Sequence, residues 1–324
     1  MKRITTALAV SALAALACAA PAQAAPHAFP GKFFAPYVDT GLSNVTLTQV
    51  ASSYGTKYFT LAFVDGAGCK WSMPNSSGWQ QQVSDLRAAG GDVIISFGGW
   101  TSDNGGTDLG TTCSSPEAAA AQIEDVVTTF NAPRLDFDIE STAITNATDV
   151  DRTTKALAQV RSWASSSGRS LALDYTIPTL PTGLTGDGTK LLSTGKANGF
   201  TPDVVNVMSM DYGTSGTEMG DASNSALDAA AGQVASAFGK SSADAFAMMG
   251  NTPMIGQNDS AGEVFSVADA ASVVSHAQSK GATLLSFWAE GRDNGGCAGS
   301  TTASSTCSGV SQGDGDFTKA FQQF

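Results

Sequence analysis

Short runs of β-branched and aromatic residues alternate along the chain with longer stretches in which apolar residues recur at helical spacing. The β-type runs begin near Phe33, Tyr58, Val93, Leu135, Leu171, Val204, Phe246 and Leu284. Between them Leu47, Val50, Ala51 and Tyr54 follow the i, i+3, i+4, i+7 rule of a helix with one buried face. So do Ile123, Val126, Val127 and Phe130, and again Val267, Ala270, Ala271 and Val274. Ser115-Pro116-Glu117 adds a start signal: a capping serine, a proline in the first turn, and an acid at the positive end of the helix dipole. Eight such pairs predict an α/β chain folded as a (β/α)8 TIM barrel, one domain over residues 25–324. A doubly wound sheet is the competing arrangement. It needs a glycine-rich phosphate turn after the first strand, where the sequence instead reads Tyr37-Val38-Asp39-Thr40-Gly41.

The most informative segment is Arg134-Leu135-Asp136-Phe137-Asp138-Ile139-Glu140, in which acids and apolar residues alternate. A period of two puts the acids on one face of the fourth strand. On a solvent-facing antiparallel strand that face would simply meet water. In a barrel Leu135, Phe137 and Ile139 must meet the helices, so Asp136, Asp138 and Glu140 point inward. Ionised and unpaired there, each would cost several kcal/mol, so the acids are expected to share protons and hydrogen bonds, with at least one pKa raised. Glu140 lies nearest the C-terminal end of the strand, where barrel enzymes place their chemistry, and is the candidate proton donor. A purely structural ladder and a Mg²⁺ site are the alternatives. No acids stand out at neighbouring strand ends to complete a metal site, so neither a metal nor a cofactor is expected.

Charge narrows the partners. With 29 acids against 17 bases and a formal net charge of −12, the surface repels phosphate backbones and anionic lipids, which disfavours nucleic acid. His27 in the N-terminal tail and His276 in a helical stretch are the two histidines, so serine–histidine and cysteine–histidine chemistry lose support and carboxylates must carry any acid–base work. Met1 to Ala24 reads as a secretory signal: Lys2 and Arg3, an apolar run from Ala7 to Ala20, then Ala22-Gln23-Ala24. Cleavage near Ala24 yields a secreted chain, removes Cys18, and takes the charge from −12 to −14 as Lys2 and Arg3 leave. Cys69, Cys113, Cys297 and Cys307 remain, an even set for an oxidising compartment. The favoured pairing is Cys69–Cys113, joining two neighbouring long loops, and Cys297–Cys307, closing a Gly/Ser/Thr-rich loop; zinc is the alternative, without a C-x-x-C spacing to support it. No later stretch has the length of a membrane span, so no membrane contact is expected after cleavage, and the chain is expected to act as a monomer.

Four segments together resemble glycoside hydrolase family 18, the chitinases and their relatives. Asp136-Phe137-Asp138-Ile139-Glu140 matches the last five positions of that family's DxxDxDxE strand motif, and Ser96-Phe97-Gly98-Gly99 resembles its SxGG. Asn206-Val207-Met208-Ser209-Met210-Asp211-Tyr212 is similar to its sixth-strand signature, and Ser286-Phe287-Trp288 to its eighth-strand tryptophan. Pro133 stands where the motif carries its first Asp.

The resemblance implies hydrolysis of β-1,4-linked N-acetylglucosamine polymers, chitin or chitooligosaccharides, with retained configuration, the substrate's own N-acetyl oxygen acting as nucleophile. It implies that Glu140 is the acid and then the base, that Asp138 orients the acetamido group, that Asp136 supports Asp138, and that Tyr212 holds the acetamide carbonyl with Asp211 beside it. Aromatic faces suit the apolar faces of sugar rings, which makes Trp288 the candidate floor and Trp100, Tyr37 and Phe63 further candidates. Met208 and Met210 alternate inward; on composition they are barrel filler, and the resemblance adds substrate contact. Two other readings stay open: an endo-β-N-acetylglucosaminidase acting on N-glycans, and a chitin-binding lectin on the same barrel.

Overall fold

The protein is described here by a computed structural model over residues 24–324. The expected secretory signal, Cys18 included, lies outside the described residues except for Ala24. Strand β1 comes in two segments, Phe33–Phe34 and Tyr37–Asp39, followed by β2 (Tyr58–Val64), β3 (Asp92–Gly98) and β4 (Arg134–Asp138). Then come β5 (Ala172–Leu180), β6 (Val205–Met208), β7 (Met249–Thr252) and β8 (Leu284–Leu285). Neighbours pair in parallel. The first segment of β1 pairs with β8 and the second with β2, which closes the ring into the expected barrel.

Helices α1 (Leu47–Tyr54), α2 (Ser76–Ala88), α3 (Trp100–Gly105), α4 (Leu109–Thr112), α5 (Pro116–Phe130) and α6 (Ser141–Thr145) serve the first half. The second half has α7 (Ala147–Ser166), α8 (Gly186–Ala197), α9 (Met219–Phe238), α10 (Ser242–Phe246), α11 (Val267–Lys280) and α12 (Asp316–Phe321). Helix α5 starts as its sequence dictates, with Ser115 Oγ accepting the Ala118 N–H at 3.2 Å and Pro116 in the first turn. The run expected to begin near Phe246 differs. Phe246 closes α10, whose Ser241 cap and alanine-rich body favour a helical turn, and the strand starts at Met249.

Outward-facing Leu61, Ile95, Leu135, Phe137, Leu173 and Val207 pack against the helices in one large core. The interior is layered. At its base Phe33, Ala35, Ile94, Val204 and Leu284 form a second apolar cluster, beneath which Arg134 pairs with Asp174 at 3.2 Å and lies over the Phe29 and Phe33 rings. Above it lies a polar belt, and above that Tyr37, Ala62, Phe63, Trp288 and Ala289 make an aromatic floor. Cys69–Cys113 and Cys297–Cys307 are both bonded, the first joining the loops after β2 and β3.

Candidate active site

Alternation along β4 turns Asp136 and Asp138 into the barrel, as the sequence predicts, and both are buried. Asp136 belongs to the polar belt. It accepts hydroxyl hydrogen bonds from Ser96 at 2.6 Å, Thr176 at 2.7 Å and Tyr37 at 2.8 Å. Asn206 extends the belt by donating to Thr176 at 2.9 Å and Thr252 at 2.7 Å. Burial pushes the Asp136 pKa up, and the three hydroxyls oppose that shift by favouring the charged form. The hydrogen bonds of Asp136 thus come from a hydroxyl cradle drawn from neighbouring strands.

Asp138 has no such cradle; its Oδ1 is buried without a hydrogen-bond partner. Burial and then the charges of Glu140, Asp136 and Asp103 raise its pKa well above the ordinary aspartate value. Glu140 follows β4 at the mouth of the barrel and precedes α6. Burial pushes its pKa up to about 7, helped by Asp211 and opposed by the main-chain N–H of Trp100, which bonds its carboxyl. The expectation of a proton-holding acid at this position therefore has a physical cause in place.

The glycine pair before α3 brings these parts together. Gly98 has φ +90° and a Cβ there would lie 2.2 Å from the Asp138 carbonyl oxygen; Gly99 has φ +80° and a Cβ would lie 2.6 Å from the Phe63 ring. Only glycine fits either position. Sequence reading missed one member of the site, Asp103. Its Oδ2 accepts the Glu140 main-chain N–H at 2.7 Å. Asp103 lies in short helix α3, a polar, glycine-containing segment whose composition carries no functional signal; its closeness to the Gly98-Gly99 turn is the one hint.

The aromatic candidates divide. Phe63 and Trp288 stack at 5.6 Å with planes 17° apart, half-buried at the barrel mouth, and Trp100 is 61% exposed beside Glu140. Tyr37 is 2% exposed with its hydroxyl committed to Asp136 and Thr176, so it supports the carboxylate lane instead of offering a face to a sugar. Met208 and Met210 are half-buried at the end of β6. Asp211, at φ +54°, has its pKa raised by burial and accepts the Ser260 N–H at 2.7 Å.

Tyr212 packs its ring against the helix–sheet core, and its main-chain N–H donates to Glu263 at 2.9 Å. Asp211 before it has a left-handed backbone. Among the described residues, no group of three or more His, Cys, Asp or Glu is arranged to hold a metal ion.

Residues 33–280 match the profile of the Glycosyl hydrolases family 18. The chain is 34% identical over 282 residues to Endochitinase 11 of Metarhizium anisopliae, covering 82% of this chain and 53% of that protein. It is 36% identical over 285 residues to a probable bifunctional chitinase/lysozyme of Escherichia coli (strain K12), covering 82% of this chain and 31% of that one. The chain thus spans about half the length of the first relative and about a third of the second. Among solved structures it is similar to the catalytic domain of a hyperthermophilic chitinase from Pyrococcus furiosus, with TM-score 0.82, 32% identity, and 93% and 96% of the two chains covered. Catalytic-site mutants of active domain 2 of a thermostable chitinase from that organism, complexed with chito-oligosaccharides, superpose with TM-score 0.81 at 33% identity, with the same 93% and 96% coverage.

Proposed function

The chain belongs to glycosyl hydrolase family 18, and from that premise we propose that it is a chitinase cleaving β-1,4-linked N-acetylglucosamine polymers with retention of configuration. The observation that carries the reading is the placing of Asp138, buried inside the barrel with its pKa raised, next to Glu140, whose pKa burial lifts to about 7, at a mouth that also holds the stacked Phe63 and Trp288.

Both acids project from one strand and its end, so neither faces the other across a scissile bond, and a second carboxylate nucleophile is not supplied. The substrate's acetamido oxygen fills that part. Glu140 gives its proton to the leaving glycosidic oxygen as the C1–O bond breaks and the acetamido oxygen bonds C1. Asp138 accepts a hydrogen bond from the acetamido N–H and so aims the acetamido oxygen at C1, with Asp136 held in place by its hydroxyls. Glu140 then takes a proton from water, whose oxygen bonds C1 as the bond from C1 to the acetamido oxygen breaks, which frees the sugar with its original anomeric configuration. Trp288 and Phe63 supply the apolar floor for the reacting ring, and exposed Trp100 a platform beyond it. Two disulfides fit an oxidising compartment, in keeping with export.

The test is incubation with chitohexaose and, separately, with an N-glycosylated protein, reading products by mass. Shorter chitooligosaccharides from the first with no glycan release from the second are expected. Release of glycan alone overturns the substrate assignment, and binding without cleavage overturns the enzymatic one.

A further inference from the structure

Helix α3 holds the backbone around Glu140 at several points. Asp103 Oδ2 accepts the Glu140 N–H at 2.7 Å, the Asp103 main-chain carbonyl accepts the Thr142 hydroxyl, and Ser141 Oγ donates to Asn104 Oδ1 at 3.1 Å. In the other direction, the Trp100 N–H bonds the Glu140 carboxyl. Glu140 is thus gripped reciprocally, its main chain by Asp103 and its side chain by the first residue of the same short helix. Ser141, next in sequence, sits at φ +46°, a conformation that a non-glycine residue keeps only when its surroundings impose it.

Asp103 is 1% exposed, and its Oδ1 is buried without a partner. It lines a cavity of about 40 Å³ together with Gly98, Asp108, Leu109 and Asp138, room for an internal water but not for a sugar. Pro133 contributes no carboxylate to the lane, so Asp103 is the acid that the loop after β3 brings to the β4 end.

We propose that Asp103 is a positioning residue for Glu140, fixing through its side-chain and main-chain bonds the backbone from which the acid projects. The proposal deepens the reading of the chain as a glycoside hydrolase and rests on it for the role of Glu140. The acids facing Asp103 are Glu140, Asp108 and Asp65; burial is the main cause that raises its pKa to about 8, and the Glu140 N–H opposes it. Asp103 in turn raises Asp138, together with Glu140 and Asp136.

The experiment compares Asp103→Ala and Asp103→Asn with the parent chain, using chitohexaose turnover and carboxyl ¹³C NMR titration. Alanine leaves the Glu140 N–H unpaired, and kcat is expected to fall about 100-fold with KM changing little, the scale of a small misplacement of a reacting group. Asparagine keeps an oxygen for that N–H and is expected to recover most of the loss. In both variants the Asp103 carboxyl signal is lost and the Asp138 midpoint moves to lower pH. An unmoved Asp138 titration overturns the proposal, as does a kcat loss equal in the two variants that tracks lost folded fraction by circular dichroism. If the parent chain does not cleave chitohexaose, the functional reading fails, and the titration arm still decides whether Asp103 is coupled to the Asp138–Glu140 pair.

Discussion

The hydroxyl of Tyr37 lies 2.8 Å from Asp136 Oδ2 and 2.8 Å from Thr176 Oγ1, so one phenol on β1 serves residues of β4 and β5 inside the barrel. Tyr37→Phe leaves Asp136 with the hydroxyls of Ser96 and Thr176 alone. A hydrogen bond to a charged group is worth about 1.5–3 kcal/mol net, and a loss on that scale is expected in urea unfolding. Because the lost bond favoured the ionised form, the Asp136 pKa should rise further, which carboxyl NMR reads directly. An unfolding midpoint equal to the parent's would show that the phenol contributes only packing.

Gly98→Ala puts a methyl group 2.2 Å from the Asp138 carbonyl at a φ of +90°. Holding an ordinary residue in that region costs about 1–3 kcal/mol, and the contact must also push the end of β4. Since Asp138 and Glu140 project from that end, kcat should fall by more than the loss of folded protein accounts for. A variant whose turnover per folded molecule matches the parent would mean that the strand end absorbs the methyl without moving the acids.

The acid lane was legible because strand alternation is a local rule: once Leu135, Phe137 and Ile139 are assigned to the helices, their neighbours have one direction left. The barrel itself was legible from the repeated change of period, and α1, α5 and α11 each contain the apolar spacing that predicts them. The resemblance assigns Tyr212 to the acetamide; its ring lies half-buried against the helix–sheet core just after the left-handed Asp211. Tyr37 presented an aromatic at a strand end, which composition cannot tell from a sugar platform until its hydroxyl is seen bonded to Asp136. Asp103 was invisible for a different reason. Its meaning lies in a contact 37 positions along the chain, made by a short helix that no periodicity marks.

Stability should fall as pH rises. Burial is the leading cause that lifts Asp103 and Glu290 to about 8 and Asp174 and Glu140 to about 7, from ordinary values of 3.8 or 4.5. The folded chain then binds protons that the unfolded chain releases, so this contribution is full below the ordinary values and is lost as pH climbs through the folded ones. The melting temperature is expected to drop by several degrees between pH 5 and pH 8.5. Glu290 offers a separate handle, since it accepts the Thr318 hydroxyl at 3.0 Å beneath α12, away from the acid lane. Glu290→Gln keeps an oxygen for that bond and cannot ionise, so its decline should be shallower; an identical slope would remove Glu290 from the account.

Glu140→Gln tests the proposed acid itself. The carboxamide has nearly the same shape, so the aromatic floor and Asp138 remain to hold a chitooligosaccharide, and calorimetry should find binding within a few-fold of the parent. It has no proton to give the leaving oxygen, and kcat should fall by about 10²–10⁴, the usual contribution of a general acid–base group. The parent's kcat should itself decline as pH passes about 7, because Glu140 must enter the first step protonated. Residual turnover in the glutamine variant should lose that limb. Turnover within tenfold of the parent, or an unchanged alkaline limb, would place the proton donor elsewhere on the barrel mouth.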